Sequence, residues 1–223
     1  MSSSVFSALK RFTSCDIGDA LVKLKVPYGG YCHGLSMFSP HYSSAGKIFG
    51  PVYTVKMVDA KNKAAPQPDK HFADCIPKGS VVFVSQPKGL FSACWGGLMS
   101  TRAKILGAEG VVVDGNFRDL LEHRELGMPL FARGKSSLGS NSFTRSSELN
   151  VPIEYNLPEQ EQPLVINPGD WVVADVDGVV VIPPSLAEEC LKLCQERFAI
   201  DEKTKEALEQ GAEMGPTIAR LRK

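Results

Sequence analysis

Gly96-Gly97-Leu98-Met99-Ser100-Thr101-Arg102-Ala103-Lys104-Ile105-Leu106-Gly107-Ala108-Glu109-Gly110-Val111-Val112-Val113-Asp114-Gly115-Asn116-Phe117-Arg118-Asp119-Leu120-Leu121-Glu122 sets the architecture expected of this chain. It reads as a Gly-rich turn, a helix over 100–106, and a turn bracketed by Gly107 and Gly110. Val111-Val112-Val113 follows as an apolar, β-branched run suited to a strand buried on both faces, with Asp114-Gly115 ending it. The chain then emerges at Asn116-Phe117-Arg118-Asp119. In an open α/β sheet that is the carboxyl end of a strand, where ligands bind. Gly96 and Gly97 carry no Cβ, so backbone N–H groups there can approach a small anion closely.

The residue types at the end of this unit define a chemistry. The Arg118 guanidinium presents a planar fork that matches a carboxylate bidentately. Asp119, beside that cation, is placed as an ionised oxygen ligand, and one carboxylate with waters is a common way to hold Mg²⁺ or Mn²⁺. If Asp119 opens a helix, Glu122 and His123 lie three and four residues on, over the same face. A second carboxylate then stands near the first. The plain alternative is a surface ion pair beside a strand end, because a single Arg-Asp dipeptide is a weak signal.

Outward from this unit, Val5 to Phe12 reads as a short helix. Thr13 or Ser14 caps a second one through Leu24, with Asp16 in its first turn. Residues 27–40 are loop-rich. Val52 to Val58 and Val81 to Val84 are strands, and Asp59 to Lys70 is an exposed loop. Trp95 anchors the turn before Gly96. A short helix should reach about Leu126, and Leu130 to Arg133 is another strand. Residues 134–150 read as a flexible loop, with Lys135 and Arg145 as solvated charges or as groups over a site. Trp171 to Ala174 and Val179 to Ile182 are strands joined by an Asp-Gly hairpin turn. Ser185 and Glu188 form a capping box for a helix that runs, with a break, toward Gln210-Gly211.

Composition narrows the function. The chain has 223 residues, 43% of them hydrophobic and 22% charged, and 25 Lys+Arg balance 25 Asp+Glu. That suits one domain with a sizeable core and no global field toward nucleic acid or an anionic membrane. No apolar run reaches membrane-spanning length, and the first residues lack a secretory h-region. The six cysteines are scattered without paired-motif spacing, as expected of reduced thiols in a cytoplasmic protein. The terminal basic residues Arg220, Arg222 and Lys223 read as a frayed tail.

The motif resembles that of the RraA-like family, which includes the class II 4-hydroxy-4-methyl-2-oxoglutarate aldolases and the regulators of ribonuclease activity. The family's aldolase signature is Gly, twenty residues, Arg-Asp, two residues, then Glu or Asp. Here Gly97, Arg118-Asp119 and Glu122 match it without departure. The resemblance extends to residues 13–21 and 169–183, and is weak over 59–72 and 135–165. It implies an α/β fold of the swivelling β/β/α type in a single domain over 1–223, with a core at about 10–185 and a C-terminal helical segment at about 185–212. It also implies a homotrimer.

For function the resemblance implies a divalent-metal-dependent pyruvate aldolase with oxaloacetate decarboxylase activity, acting on a small 2-oxo acid. Arg118 and the N–H groups around Gly96, Gly97, Leu98 and Met99 would bind the substrate carboxylate. Asp119 would hold Mg²⁺ or Mn²⁺. Glu122, or Glu202 reaching in from a neighbouring subunit, would serve proton transfer. The alternative is a non-catalytic regulator that binds a ribonuclease or helicase.

Overall fold

In the computed structural model, which describes residues 3–41, 46–158 and 160–222, the run of valines lies at the middle of the main sheet. β5 (Gly110–Phe117) has β3 (Val81–Ser85) on one side and β6 (Leu130–Lys135) on the other, both parallel to it. Beyond β3 comes β2 (Ile48–Asp59), also parallel, then the antiparallel hairpin of β10 (Trp171–Asp175) and β11 (Gly178–Ile182). Beyond β6 lies β1 (Ser36–Ser39), antiparallel. Two short strands branch from this path: β4 (Ala93–Trp95) on β5 and β7 (Thr144–Leu149) on β2. A bridge between Tyr31 and Val180 draws the two ends of the sheet together, so it is nearly closed. β8 (Ile153–Tyr155) and β9 (Leu164–Ile166) form a separate hairpin.

Alternation along β5 divides the core. Val112 faces a cluster with Phe83, Phe131, Tyr155 and Val172, while Val111 and Val113 face another with Trp95, Ala103 and Phe117. Successive side chains point to opposite faces of a strand, so burial of all three valines requires cover on both sides. A third cluster joins α1 (Ser3–Leu9), α2 (Ser14–Lys23) and α5 (Ala187–Glu209) over the outer face of β10 and β11, through Leu9, Phe12, Ile17, Val173, Val180 and Cys190.

Several expectations need correction. β5 does not stop at Asp114-Gly115 but runs to Phe117, because Asn116 and Phe117 find ladder partners on both sides, in β4 and in β6; Asp114 within it is buried against two cations, Lys88 at 2.9 Å and Arg133. Residues 27–40 include β1, and 134–150 include β7, which pairs with β2 through residues 144–149. Arg145 lies over no site; its guanidinium donates to the carbonyls of Asn62, Ala65 and Pro66 at 2.7 Å each and pins that surface loop. The box at Ser185 and Glu188 does not form. Ser185 sits in a 3-10 turn, α5 begins at Ala187 with no side-chain cap, and the helix runs unbroken to Glu209. Arg220 and Arg222 are not a frayed tail, since α6 (Met214–Leu221) folds beside α5 and Arg222 bonds Asp201 at 2.8 Å; Lys223 lies outside the described residues.

The first helices follow the expectation more closely. α1 ends at Leu9, and Thr13 caps α2: its Oγ1 accepts from Asp16 N–H at 3.2 Å while the Asp16 carboxylate accepts from Thr13 N–H at 2.9 Å. Asp16 is thus occupied in capping. The Asp175–Gly178 hairpin forms as read. Four of the six thiols are buried and all are free.

Candidate active site

α3 (Gly97–Leu106) begins three residues earlier than the helix formers predict, so Gly97 is its first residue and Gly96 its cap. At the end of β5, Asp119 caps α4 (Leu120–Leu126) with φ 66° and ψ 43°. This left-handed conformation costs a non-glycine residue roughly 1–2 kcal/mol, least for Asn and Asp. The two helix starts face each other. Asp119 Oδ2 accepts from Gly97 N–H at 3.0 Å and lies 3.4 Å from Arg118 Nε. That ion pair is 46% and 31% exposed, so its energetic worth is small and its value is geometric.

Both glycines are required by close approach. A Cβ on Gly96 would stand 2.8 Å from Asp119 Oδ2, and one on Gly97 would stand 1.8 Å from Glu122 Oε2. Arg118, Asp119 and Glu122 therefore converge on this turn. Of the four N–H groups assigned to the substrate, Gly97's is engaged by Asp119 and Met99's by the Gly96 carbonyl at 3.1 Å. Among the described residues those of Gly96 and Leu98 have no acceptor and are left for a ligand.

The walls are stiff. Trp95 is buried, its indole N–H donating to Ser100 Oγ at 2.8 Å, and its carbonyl accepts from Arg118 N–H at 3.0 Å. The loop after β6 closes over the guanidinium, since a Cβ on Gly139 would lie 2.8 Å from Arg118 Nη1. The space enclosed is about 100 Å³, room for a molecule of a few heavy atoms. A larger cavity of about 480 Å³ lies between α1 and the start of β10, but only Lys10 and Glu109 bring charge to it. The smaller one is lined by Arg118 and Asp119 together with the Gly96-Gly97 turn.

Glu202 is not brought to this cleft by its own chain. It is exposed on α5, whose main contacts are with α1, α2 and α6. Lys135 is exposed at the end of β6. Among the described residues no group of three or more His, Cys, Asp or Glu side chains is assembled as a metal cage. Two features escaped the sequence. His123 is buried behind Arg118, and Gln86 ties the strand to the preceding loop by accepting from Asn116 N–H at 2.9 Å and donating to the Ser92 carbonyl at 2.7 Å. A His or Gln on a helix or strand carries no signal of such backbone partners.

Sheet and cleft together place the molecule among mixed α/β proteins whose site is built at the carboxyl end of a parallel strand. Within that class the chain belongs to the RraA-like family: the family's model, described as Aldolase/RraA, matches residues 14–181. A relative from Halalkalibacterium halodurans, provisionally named a 4-hydroxy-4-methyl-2-oxoglutarate aldolase, is 32% identical over 162 residues, 73% of this chain and 72% of its own. Streptomyces coelicolor RraAS2, described as an unusual member of the RNase ES inhibitor RraA protein family, has a similar structure. Its TM-score is 0.72 at 26% identity, covering 95% of this chain and 98% of that one. An uncharacterized protein from Pseudomonas syringae pv. tomato shares the fold, with TM-score 0.80, 24% identity and coverage of 97% and 98%.

Proposed function

We propose that this protein is a divalent-metal-dependent aldolase that releases pyruvate from 4-hydroxy-4-methyl-2-oxoglutarate or a related 4-hydroxy-2-oxo acid, and that it also decarboxylates oxaloacetate. The observation that carries this is the convergence of Arg118, Asp119 and Glu122 on a turn where even one Cβ would collide with a carboxylate. The provisional name of the Halalkalibacterium relative supports the same reaction.

The residues present fit a Mg²⁺ or Mn²⁺ ion. Asp119 Oδ2 is held by Gly97 N–H, and among the described residues no hydrogen bond engages Oδ1, which leaves a hard oxygen donor with Glu122 across the turn. When bound, such a cation supplies electrophilic stabilisation of the negative charge that develops on the 2-oxo oxygen. The chain does the rest. Arg118 and Leu98 N–H hold the substrate carboxylate and orient the scissile bond. Glu122, with Glu202 of a neighbouring copy, takes the proton from the substrate's C4 hydroxyl. As that proton leaves, the C3–C4 bond breaks, C4 becomes a carbonyl, and the bonding pair passes into the pyruvate enolate, which is then protonated at C3. Loss of CO₂ from oxaloacetate leaves the same enolate.

A homotrimer suits this site. Leu98 is 85% and Leu121 77% exposed at its rim, apolar surface that assembly would cover. The direct test is pyruvate release from both substrates after chelation, with and without added Mg²⁺. A purified protein inactive on both in Mg²⁺ and in Mn²⁺ would overturn the proposal and favour a regulator that binds a ribonuclease or helicase.

A further inference from the structure

His123 is wholly buried in α4, one helical turn after Asp119, edge-on to the Phe117 ring at 5.4 Å. Its Nε2 lies 2.7 Å from the Arg118 carbonyl oxygen. A carbonyl offers only lone pairs, so Nε2 carries the ring proton and donates it. Nδ1 is then an acceptor, buried with no partner among the described residues. An orphaned buried acceptor is destabilising, and a leucine here would pack on Phe117 without that cost. Burial also pushes the imidazole pKa down, which keeps the ring neutral.

What the ring secures is a backbone conformation. The Arg118 carbonyl belongs to the peptide plane on the amino side of Asp119, and holding its direction holds φ of Asp119. The Asp119 carbonyl belongs to the plane on the other side, and it accepts from His123 N–H at 3.3 Å. One residue thus grips both peptide planes that define the left-handed turn at Asp119. The side chains of Arg118 and Asp119 leave the chain at these planes, so their aim depends on that grip.

We propose that His123 is a positioning residue: through the Arg118 and Asp119 carbonyls it locks the left-handed turn that points the guanidinium and the carboxylate at the ligand. The use of a substrate analogue to read this rests on the aldolase reading. The test compares His123→Leu, which removes the ring donor, with His123→Gln, whose amide can place an N–H where Nε2 stands. Three measurements are made on each: thermal unfolding, the oxalate inhibition constant in oxaloacetate decarboxylation, and the Asp119 Cα and Cβ shifts, which report its φ and ψ.

The Leu variant exchanges the orphaned Nδ1 for an Arg118 carbonyl without its donor, so its unfolding midpoint is expected to stay close to that of wild type. Its Asp119 shifts should leave their left-handed values, and oxalate should inhibit it about 10- to 100-fold more weakly, the scale of a misplaced binding group. The Gln variant should recover both. Unchanged shifts and unchanged inhibition in the Leu variant would overturn the inference. So would an Nδ1–H tautomer in the wild-type ring, read from its long-range ¹H–¹⁵N spectrum, and this stands even if the Leu variant fails to fold. If wild type has no decarboxylase activity, the aldolase reading fails by itself, and the Asp119 shifts alone decide the role of His123.

Discussion

Gly97→Ala should separate folding from activity. Gly97 is the first residue of a helix and has helical geometry, so alanine there is favoured by up to roughly 1 kcal/mol of propensity. Its Cβ would meet Glu122 Oε2 at 1.8 Å, however, and the flexible end of that side chain must move away. Thermal unfolding should stay at or above the wild-type midpoint while pyruvate formation falls at least tenfold, on the order of the loss for a displaced proton acceptor. Full activity in that variant would show that Glu122 need not stand where it does. Arg118 gives a sharper case. Lysine cannot reproduce a planar two-point contact with a carboxylate, so Arg118→Lys should lose roughly 2–4 kcal/mol of transition-state stabilisation, or about 30- to 1,000-fold in kcat/KM. Arg118→Ala should lose more. Oxalate inhibition constants equal to wild type in both variants would remove Arg118 from the carboxylate site. Gly97, Arg118, Asp119 and Glu122 were legible because one short segment carries them at a fixed spacing. His123 was not, because its work depends on where two carbonyls point, which no side-chain pattern records.

At the scale of elements, two helix starts that look alike in sequence behave differently. Thr13 and Asp16 form a reciprocal cap on α2, whereas Ser185 and Glu188 do not cap α5. Thr13→Ala should therefore cost about 1 kcal/mol, within the range measured for lost caps, and Ser185→Ala close to nothing. Urea denaturation of the two variants side by side checks this, and equal losses would contradict the geometry. The reason lies in Pro183 and Pro184. They open a 3-10 turn over Pro184–Leu186, which leaves Leu186 at the capping position of α5 and Ser185 one residue short of it. Strands show the same division. β3, β5, β10 and β11 were readable as β-branched runs because they are buried on both faces. β7, Thr144-Arg145-Ser146-Ser147-Glu148-Leu149, has the composition of a loop and is a strand only because β2 lends it a ladder. A tertiary partner overrides local propensity there.

At the scale of the whole molecule, one buried carboxylate ties the β3–β4 loop, β5 and β6 together. Asp114 is 1% exposed in its side chain and receives Lys88 from the β3–β4 loop and Arg133 from β6. Both cations stand over the Tyr155 ring of the β8–β9 hairpin, at 5.5 and 5.0 Å. Asp114→Asn would leave two cations facing each other without their anion. The expected loss is about 3 kcal/mol, at the low end for a broken buried pair because half-exposed Lys88 can turn to water; a urea midpoint equal to wild type would refute it. Assembly is the other property at this scale. If Glu202 completes a neighbour's site, sedimentation should find the active species oligomeric, and a fully active monomer would exclude that role. A further consequence follows from the third core cluster, where α1 and α2 pack with α5 around the β10–β11 hairpin. The ribosome delivers the first two helices long before their partners. At roughly 5–20 residues per second they wait on the order of 10–40 s for α5. The segment 96–122 needs no such delay to meet β2 and β3, which precede it in the chain. Synthesis therefore has Arg118, Asp119 and Glu122 at hand before the loop that closes over the guanidinium, while Phe6, Leu9, Phe12 and Ile17 keep apolar surface uncovered until α5 emerges.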